Sequence, residues 1–262
     1  AVSSKIMVYF YDWTTKKLII ASFYDAQFFI TSMSSIKGFL VYGDAYRSVY
    51  FARWREETRS ITFLGKDFTR AEVITTALLY EGSQLAILSA DAQHNFSLLS
   101  FNPESPETSQ GLWLMPTADI NVGALVPSML PLRATKPNPN NPHSRIQADK
   151  TMLLFGTTNG SIGYLLPIAE DKYRRLSVLC TKLYTEVPHK CGLHPKAHRI
   201  YKGDRKQSQA KYRSPNIIDG DLVAEFPGLD RAAQQQLARR MGSRVDAIHT
   251  ILKGIQQELA YF

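Results

Sequence analysis

Short apolar runs, separated by polar residues and glycine, fill the first two thirds of the chain. The runs are rich in Val, Ile, Phe, Tyr and Leu, and Gly, Asp, Asn and Ser lie between them. Runs of this length and composition are typical of β-strands, and apolar residues at helical spacing are scarce in this region. The pattern predicts strands at "KIMVYFYDW", "KLIIASFY", "FFITSMSS", "FLVYGD", "SVYFARW", "SITFLGKD", "LAILSAD" and "FSLLSF".

One unit, an apolar strand followed by a turn and a second strand, occurs three times. The copies are "FLVYGDAYRSVYFARW" from Phe39, "LAILSADAQHNFSLLSF" from Leu85 and "MLLFGTTNGSIGYLLPI" from Met152. Each turn carries residues that adopt positive φ or bond the backbone through their side chains. These residues are Gly43-Asp44, Asp91 and Asn159-Gly160. The three units are therefore predicted to be β-hairpins.

The spacing of these hairpins favours a β-propeller. Asp44 and Asp91 are 47 residues apart, close to the ~40–50 residues of a four-stranded blade. The third unit lies further on, and the Pro- and Asn-rich residues 133–150 before it are predicted to be a long surface loop inserted into a blade. The alternative is an open β-sandwich. A propeller typically has about four to eight blades, so further blades are expected in sequence N-terminal to this chain.

The apolar spacing becomes helical after Pro167. A first helix is predicted at residues 169–187, with acidic residues 170 and 171 at the positive end of its dipole. Its apolar face contains Tyr173, Leu176, Leu179, Cys180 and Leu183. Shorter helices are predicted in "IIDGDLVAEF" and in "LDRAAQQQLARRMG", the latter ending at Gly242.

The last predicted helix begins at Ser243. The side chain of Ser243 is expected to cap the helix, with Asp246 as its reciprocal partner. Apolar residues follow at a 3-4-3-4 spacing, which predicts one buried face against the other helices. That face comprises Val245, Ile248, Leu252, Ile255 and Leu259. The predicted organisation is thus a β-propeller part at residues 1–168 and a small C-terminal helical domain at 169–262, with a connector at 186–215.

Composition narrows the class of protein. With 262 residues and 44% hydrophobic content, the chain is long enough to bury one large core or two smaller ones. It has no apolar run of the ~18 residues needed to span a bilayer, and its start does not read as a signal peptide. Only Cys180 and Cys191 are present, too few for a disulfide framework. A soluble, non-secreted protein of a reducing compartment, without membrane association, is expected.

The positive charge is concentrated in one segment. The chain has a formal net charge of +8. Residues 186–213 hold eight basic and two acidic residues, a net +6. The basic residues, all candidates for contact with RNA or a partner protein, are Lys190, Lys196, Arg199, Lys202, Arg205, Lys206, Lys211 and Arg213. Tyr201 and Tyr212 lie among these basic residues. Neutralisation of phosphates by Lys and Arg, combined with stacking of bases on Tyr, favours nucleic-acid binding. A solvated connector, or one that docks on an acidic protein face, is the favoured alternative.

The same segment contains four possible metal ligands, His189, Cys191, His194 and His198. Structural zinc usually takes two pairs of ligands separated by a longer loop, with more than one thiolate. Here all four lie in one stretch without a second cluster. The spacing therefore disfavours zinc, and solvated loop histidines are expected instead.

No motif of a known catalytic class is present. The chain has neither the G-x-S-x-G nucleophile elbow, nor a P-loop, nor the dinucleotide-binding G-x-G-x-x-G. Asp67, Asp119 and Asp219 are isolated carboxylates, and Asp219 fits an Asx turn or helix cap. Neither enzymatic activity nor a cofactor is predicted.

Several segments resemble a known family. They are "ADINVG" (118–123), "CGLHPKAHR" (191–199), "GDRK" (203–206), "NIIDGDLVAEF" (216–226), the terminal "ELAYF" and "FARWREETRSITFLGKDFTRAEV" (51–73). Together they resemble the C-terminal region of the largest subunit of the cleavage and polyadenylation specificity factor, and of its fungal equivalent. The resemblance covers nearly the whole chain. "DGDL" alone is shared with the large subunit of the damaged-DNA-binding complex and with a propeller subunit of splicing factor 3b.

The resemblance implies a non-catalytic nuclear scaffold of three propellers and a helical domain, of which this chain supplies the last blades of the third propeller and that domain. It implies as partners a WD-repeat subunit and a CCCH zinc-finger subunit, which read the AAUAAA-type signal, the poly(A) polymerase machinery and pre-mRNA. In this family the positions of His194 and His198 are not reliably histidine, which further disfavours zinc. The shared "DGDL" element leaves an alternative open. The protein would then be an adaptor of a ubiquitin ligase or DNA-repair complex, or a splicing factor 3b scaffold.

Overall fold

The computed structural model describes residues 3–138, 141–188, 194–203, 216–260 and 262. Within these residues, β-strands are followed by a helical part, which confirms the prediction of a mainly β chain with helices at its end. The strands are β1 (Lys5–Asp12), β2 (Lys17–Asp25), β3 (Ile30–Ile36), β4 (Phe39–Asp44), β5 (Val49–Arg55), β6 (Ser60–Lys66), β7 (Val73–Glu81), β8 (Gln84–Asp91), β9 (Asn95–Ser100), β10 (Met115–Asn121), β11 (Ser128–Asn138), β12 (Asn141–Gly156) and β13 (Ile162–Leu165). The helices are α1 (Glu170–Glu186), α2 (Gly220–Ala224), α3 (Arg231–Arg240) and α4 (Val245–Leu259).

The strands form three antiparallel sheets. β1 and β2 make a hairpin, the second sheet has the order β3-β4-β5-β6, and the third has the order β10-β9-β8-β7-β12-β11 with β13 beside β12. The three predicted hairpins are confirmed as β4–β5, β8–β9 and β12–β13. β3–β6 and β7–β10 are both four-stranded meanders, the strand order of a propeller blade. Closure of such sheets into a ring stays a prediction.

The hairpin turns use the side chains that the sequence indicates. Asp44 Oδ1 accepts hydrogen bonds from the backbone N–H groups of Tyr46 and Arg47 at 2.7 and 3.2 Å. Asp91 Oδ1 accepts two backbone N–H bonds in the same way, at 2.9 and 2.8 Å. In the third turn Gly160 has a φ of +85°, a conformation that glycine adopts without steric cost. Local turn chemistry therefore fixes the register of all three hairpins.

The second and third sheets pack on each other through one apolar cluster. Val41, Val49 and Phe51 from the second sheet meet a set from the third sheet and the loop before β10, namely Val73, Leu78, Ile87, Leu99 and Leu114. The side chain of Val73 lies directly over Gly43, where a Cβ atom would lie 2.5 Å from Val73 Cγ1. A larger residue at this position would separate the two sheets.

The prediction of a long loop at residues 133–150 is wrong. β11 and β12 extend as one hairpin, paired from Ser128 opposite Gly156 to Asn138 opposite Asn141. The register shifts between residues 133 and 135, and again between 137 and 138. Backbone pairing that begins in the apolar base of the hairpin continues outward through Pro- and Asn-rich sequence, and the shifts accommodate residues that do not suit a regular ladder. Composition alone therefore misled the prediction.

The helices enclose a separate core. Leu176, Leu179, Cys180 and Leu183 of α1 are buried, as predicted, and they pack against residues of the other three helices and of the 3-10 turn Phe226–Gly228. The partners of α1 in this cluster are Leu222, Val223, Phe226, Leu237, Ala238 and Ile248. β13 ends at Leu165 and α1 begins at Glu170, and the division into two domains at residues 168 and 169 stays a prediction.

The predicted start of the last helix is two residues early. α4 begins at Val245, its N-cap is Arg244, and no side chain caps it. The backbone N–H of Ser243 instead donates to the carbonyl oxygen of Ala238 at 2.9 Å. Ser243 therefore belongs to the turn that closes α3, where Gly242 has a φ of +65°, and the predicted capping by Ser243 is wrong.

Candidate functional site: the junction between sheets and helices

Arg199 lies where three of the sequence segments singled out above meet. Its guanidinium donates from Nε to Asp219 Oδ2 at 2.8 Å and from Nη2 to Asp219 Oδ1 at 3.3 Å. Nη2 also donates to Asp221 Oδ2 at 2.8 Å, and Nη1 to the carbonyl oxygen of Val122 at 3.4 Å. One side chain thus joins three segments, "CGLHPKAHR", "NIIDGDLVAEF" and "ADINVG". We call this cluster the Arg199 junction.

The Arg199 junction is shielded from water on one side. The side chains of Arg199 and Asp219 are 18% and 9% exposed, whereas that of Asp221 is 89% exposed. Burial by itself would lower the pKa of Arg199, but the bonds to Asp219 and the charges of Asp219 and Asp221 outweigh burial and raise it. Asp219 also accepts from the backbone N–H of Asp221 at 3.2 Å, so it caps α2 as the sequence predicts. One carboxylate thus holds both a helix start and the arginine.

A buried polar ladder continues the junction into the β-sheet. Asn95 donates from Nδ2 to the carbonyl oxygen of Lys202 at 2.6 Å and accepts from the backbone N–H of Lys202 at 2.9 Å. Asn121 donates from Nδ2 to Asn95 Oδ1 at 2.9 Å. Both asparagines are buried. The connector is therefore attached to β9 and β10 much as an additional strand would be, but through side-chain amides.

Both sides of residues 204–215 are tied to this same edge. Gly203 has a φ of +148°, a backbone conformation that favours glycine over residues with a side chain. On the other side, Asn216 donates from Nδ2 to the carbonyl oxygen of Thr117 in β10 at 3.1 Å. The attachments of the basic connector on the sheet are thus set by residues of "GDRK" and "NIIDGDLVAEF".

The predicted contact residues divide into three groups. Lys196 and Lys202 are exposed. Arg199 is half-buried and its guanidinium is bonded within the protein. Lys190, Arg205, Lys206, Lys211 and Arg213 lie outside the described residues. The backbone of Lys202 is fixed by Asn95, while the residue is exposed to solvent.

The structure brings no metal-binding cluster together within the described part of the chain, where no group of three or more His, Cys, Asp and Glu side chains is found. His194 Nδ1 accepts from the backbone N–H of Lys196 at 3.1 Å, and its ring stacks on Tyr184. His198 is exposed. His189 and Cys191 lie outside the described residues. Burial raises the pKa of the remaining thiol, Cys180, which suits a packing role rather than metal binding.

The predicted packing face of the last helix lies toward the helical core. Ile248 is 3% exposed, and three half-buried neighbours, Val245, Leu252 and Ile255, contact the same cluster. Leu259 is half-buried but is not part of that cluster.

A second link between sheets and helices was missed by the sequence reasoning. Glu258 near the end of α4 accepts from Lys150 of β12 at 3.1 Å and from Lys172 of α1. Lys150 also lies 3.5 Å from Glu81 of β7. Burial alone would raise the pKa of Glu258, but the bonds to Lys172 and Lys150 prevail and lower it. Residues from four elements thus share one charge network, and no pattern in the sequence signals their proximity.

Comparison with known proteins identifies the family. The family model described as "CPSF A subunit region" matches residues 1–227, which include all the residues of the Arg199 junction. The chain belongs to the CPSF A subunit family. This confirms the resemblance stated from the sequence.

The relatives of this CPSF A chain carry consistent names. It is 32% identical over 234 residues to the probable cleavage and polyadenylation specificity factor subunit 1 of Oryza sativa subsp. japonica, covering 88% of this chain and 16% of the rice protein. It is 32% identical over 244 residues to cleavage and polyadenylation specificity factor subunit 1 of Arabidopsis thaliana, covering 92% and 16%. Protein CFT1 of Coccidioides immitis is 30% identical over 253 residues, covering 93% and 18%. The chain thus spans about a sixth of the length of these relatives.

No helix among the described residues of the CPSF A chain combines the length and the apolar character needed to cross a membrane.

Proposed function

We propose that this protein is a non-catalytic scaffold subunit of a nuclear complex for pre-mRNA 3′-end cleavage and polyadenylation. Its relatives are named as specificity-factor subunits. The observation that carries the proposal is the Arg199 junction, where residues of three family segments bond one another rather than surround a reactive centre. Such bonding suits a protein that fixes the relative position of two parts.

The attachment of the helices to the sheets supports the proposed scaffold role. The Arg199 junction and the Glu258 network join helices to sheets at separate places. Arg199 bonds the carbonyl oxygen of Val122 directly after β10, whereas the Glu258 network uses side chains from β7, β12, α1 and α4. Two separated attachments resist rotation better than one. The helical part and the sheets would therefore present a fixed composite surface to other subunits.

We further propose the partners that the family resemblance implies. These are a WD-repeat polyadenylation subunit, a CCCH zinc-finger polyadenylation subunit and the poly(A) polymerase machinery. Exposed Lys196 and Lys202, together with the basic residues at 205, 206, 211 and 213, are proposed to contact pre-mRNA or an acidic face of a partner.

The experiment is purification of the tagged full-length protein from the cells that produce it, followed by mass spectrometry of the bound proteins. Recovery of the WD-repeat and CCCH zinc-finger subunits is expected. Recovery of a cullin, or of splicing factor 3b proteins, in their place would overturn the proposal. In the same assay Arg199→Ala should reduce partner recovery, whereas Arg70→Ala, at an exposed arginine, should leave it unchanged.

A further inference from the structure

A groove runs between α1 and the turn that joins α3 to α4. Its volume is about 490 Å³, within the ~300–1,000 Å³ of pockets that bury small ligands. Aliphatic side chains of Leu176, Leu179 and Ile248 form its base, and all three also belong to the helical core. This groove is separate from both attachments of the helices to the sheets.

The rim of the groove is positively charged. Arg174, Arg175 and Arg244 line it, and none of the residues lining it is acidic. Arg174 forms an exposed pair with Glu170 one turn away on the same helix, an interaction worth only a few tenths of a kcal/mol. Arg175 and Arg244 are exposed and have no acidic partner among the residues that the structure describes. Two guanidinium groups, those of Arg175 and Arg244, are therefore available to an incoming anionic partner, and the third, that of Arg174, is held only by a weak exposed pair.

The wall of the groove is partly open to solvent and apolar. Val178 of α1 is 45% exposed, and Ile251 of α4 is half-buried beside it along the groove. Aliphatic surface at the base with arginine at the rim suits a ligand that carries both apolar side chains and carboxylates, because arginine binds carboxylates in a planar two-bond geometry.

Nucleic acid fits this groove less well. Single-stranded RNA is held largely by stacking of its bases on aromatic rings, and the groove contains no Phe, Tyr, Trp or His. An apolar groove with a charged rim suits a short amphipathic helix, which inserts residues spaced three, four and seven apart.

We propose that this groove binds an acidic amphipathic helix of a partner protein. The aliphatic side chains of that helix would contact Val178 and Ile251, and its carboxylates would bind Arg175 and Arg244. The proposal does not depend on which complex contains the protein. It adds a protein-docking surface on the side of the helical part formed by α1 and the α3–α4 turn.

The test measures binding of labelled synthetic peptides to the full chain by fluorescence anisotropy. The probe is a helical peptide of Glu and Leu with Leu at positions i, i+4 and i+7. Two control peptides replace Leu by Ser or Glu by Lys, and a U-rich RNA oligonucleotide is the fourth probe. Binding of the Glu/Leu peptide alone, weakened by added salt, is expected.

Two variants localise the binding. The double charge reversal Arg175→Glu/Arg244→Glu should weaken binding of the Glu/Leu peptide on the order of tenfold or more. The matched reversal Arg231→Glu/Lys253→Glu changes the net charge equally at exposed positions outside the groove and should leave binding unchanged. Val178→Asp should also abolish binding, and circular dichroism should show that each variant keeps its helical signal.

Three results would overturn the proposal. The first is equal affinity of the Arg175→Glu/Arg244→Glu variant and the unaltered protein. The second is equal binding of the peptide that has Ser in place of Leu. The third is displacement of the Glu/Leu peptide by RNA from the same site, which would make the groove a nucleic-acid site.

Discussion

Arg199 and Asp219 share two hydrogen bonds, at 2.8 and 3.3 Å, across 20 residues of sequence. The arginine is the last residue of the 3-10 turn Ala197–Arg199, and the aspartate directly precedes α2. The pair therefore ties the segment after α1 to the start of α2. Because Arg199 also reaches the carbonyl oxygen of Val122, loss of this pair would affect the attachment to the sheet as well as the helices.

Arg199→Ala should lower the free energy of unfolding by about 2–3 kcal/mol, because Asp219 would stay buried without its charged partner. Arg199→Lys keeps the charge but loses the two-bond geometry, so it should lose less stability. Urea unfolding followed by circular dichroism measures both variants. Arg70→Ala serves as control, and an Arg199→Ala protein as stable as the control would contradict a structural role.

Asn95→Asp should detach the connector from the sheet. The substitution removes the amide that donates to Lys202 and to Asp91 Oδ2 at 2.8 Å, and places a carboxylate against that of Asp91. Trypsin should then cleave after Lys202 faster than in the unaltered protein. Asn102→Asp, at an exposed loop position, provides the comparison, and equal cleavage rates in the two variants would show that the amide ladder does not hold the connector.

Acidification should weaken the Glu258 network. The folded protein lowers the pKa of Glu258 below its ordinary value of 4.5, so the unfolded chain takes up this proton first. The stabilisation is present above pH 4.5 and is lost as the pH falls through the lower, folded pKa. Glu258→Gln should cost on the order of 1 kcal/mol at pH 7.

The thermal midpoint of the Glu258→Gln protein and of the unaltered protein should converge as the pH is lowered from 7 toward 3. A constant difference over this range would show that the carboxylate charge is not the source of the stabilisation.

Ile248→Asp should destabilise the helical part by about 3–5 kcal/mol, because an unpaired carboxylate would lie in the helical core. Leu259→Asp is the natural comparison, since Leu259 is half-buried on the same helix but outside that core. It should cost much less. Limited proteolysis and chemical unfolding measure the stability of both variants. Equal stability would mean that the face of α4 at Ile248 is not buried from water.

The basic connector is tested by replacing Lys202, Arg205, Lys206 and Lys211 with Ala together. If it contacts RNA, affinity should fall and its salt dependence should become less steep, by about 0.7 in log–log slope for each lost phosphate contact. The Lys202 substitution leaves its backbone bonds to Asn95 in place, so the fold should be unaffected. Unchanged RNA binding, or an unchanged slope, would remove RNA as a partner of this segment.

Local signals in the sequence predicted local structure well. The hairpins at Asp44 and Asp91 were predictable because each aspartate bonds backbone N–H groups two to four residues away. The burial of Leu176 and Leu183 was predictable because helical spacing depends on the helix alone. These features need no knowledge of the rest of the fold.

Contacts between distant segments were not predictable in the same way. Arg199 was singled out as a basic residue for partner contact, yet its charge is taken up by Asp219 and Asp221, which follow it by about twenty residues. Nothing in the spacing shows that these segments meet. The long β11–β12 hairpin was missed because backbone pairing propagates through Pro- and Asn-rich sequence from an apolar base.

Lys202, held by Asn95 of β9, and Asn216, held by the carbonyl oxygen of Thr117 in β10, fix the chain to neighbouring strands on either side of residues 204–215. In general, the entropic cost of joining two fixed ends rises by only ~0.6 kcal/mol for each doubling of the length of the segment between them. Insertions there would therefore leave the Arg199 junction undisturbed. Evolution can vary the size and charge of this segment among relatives while the helices keep one orientation on the sheets.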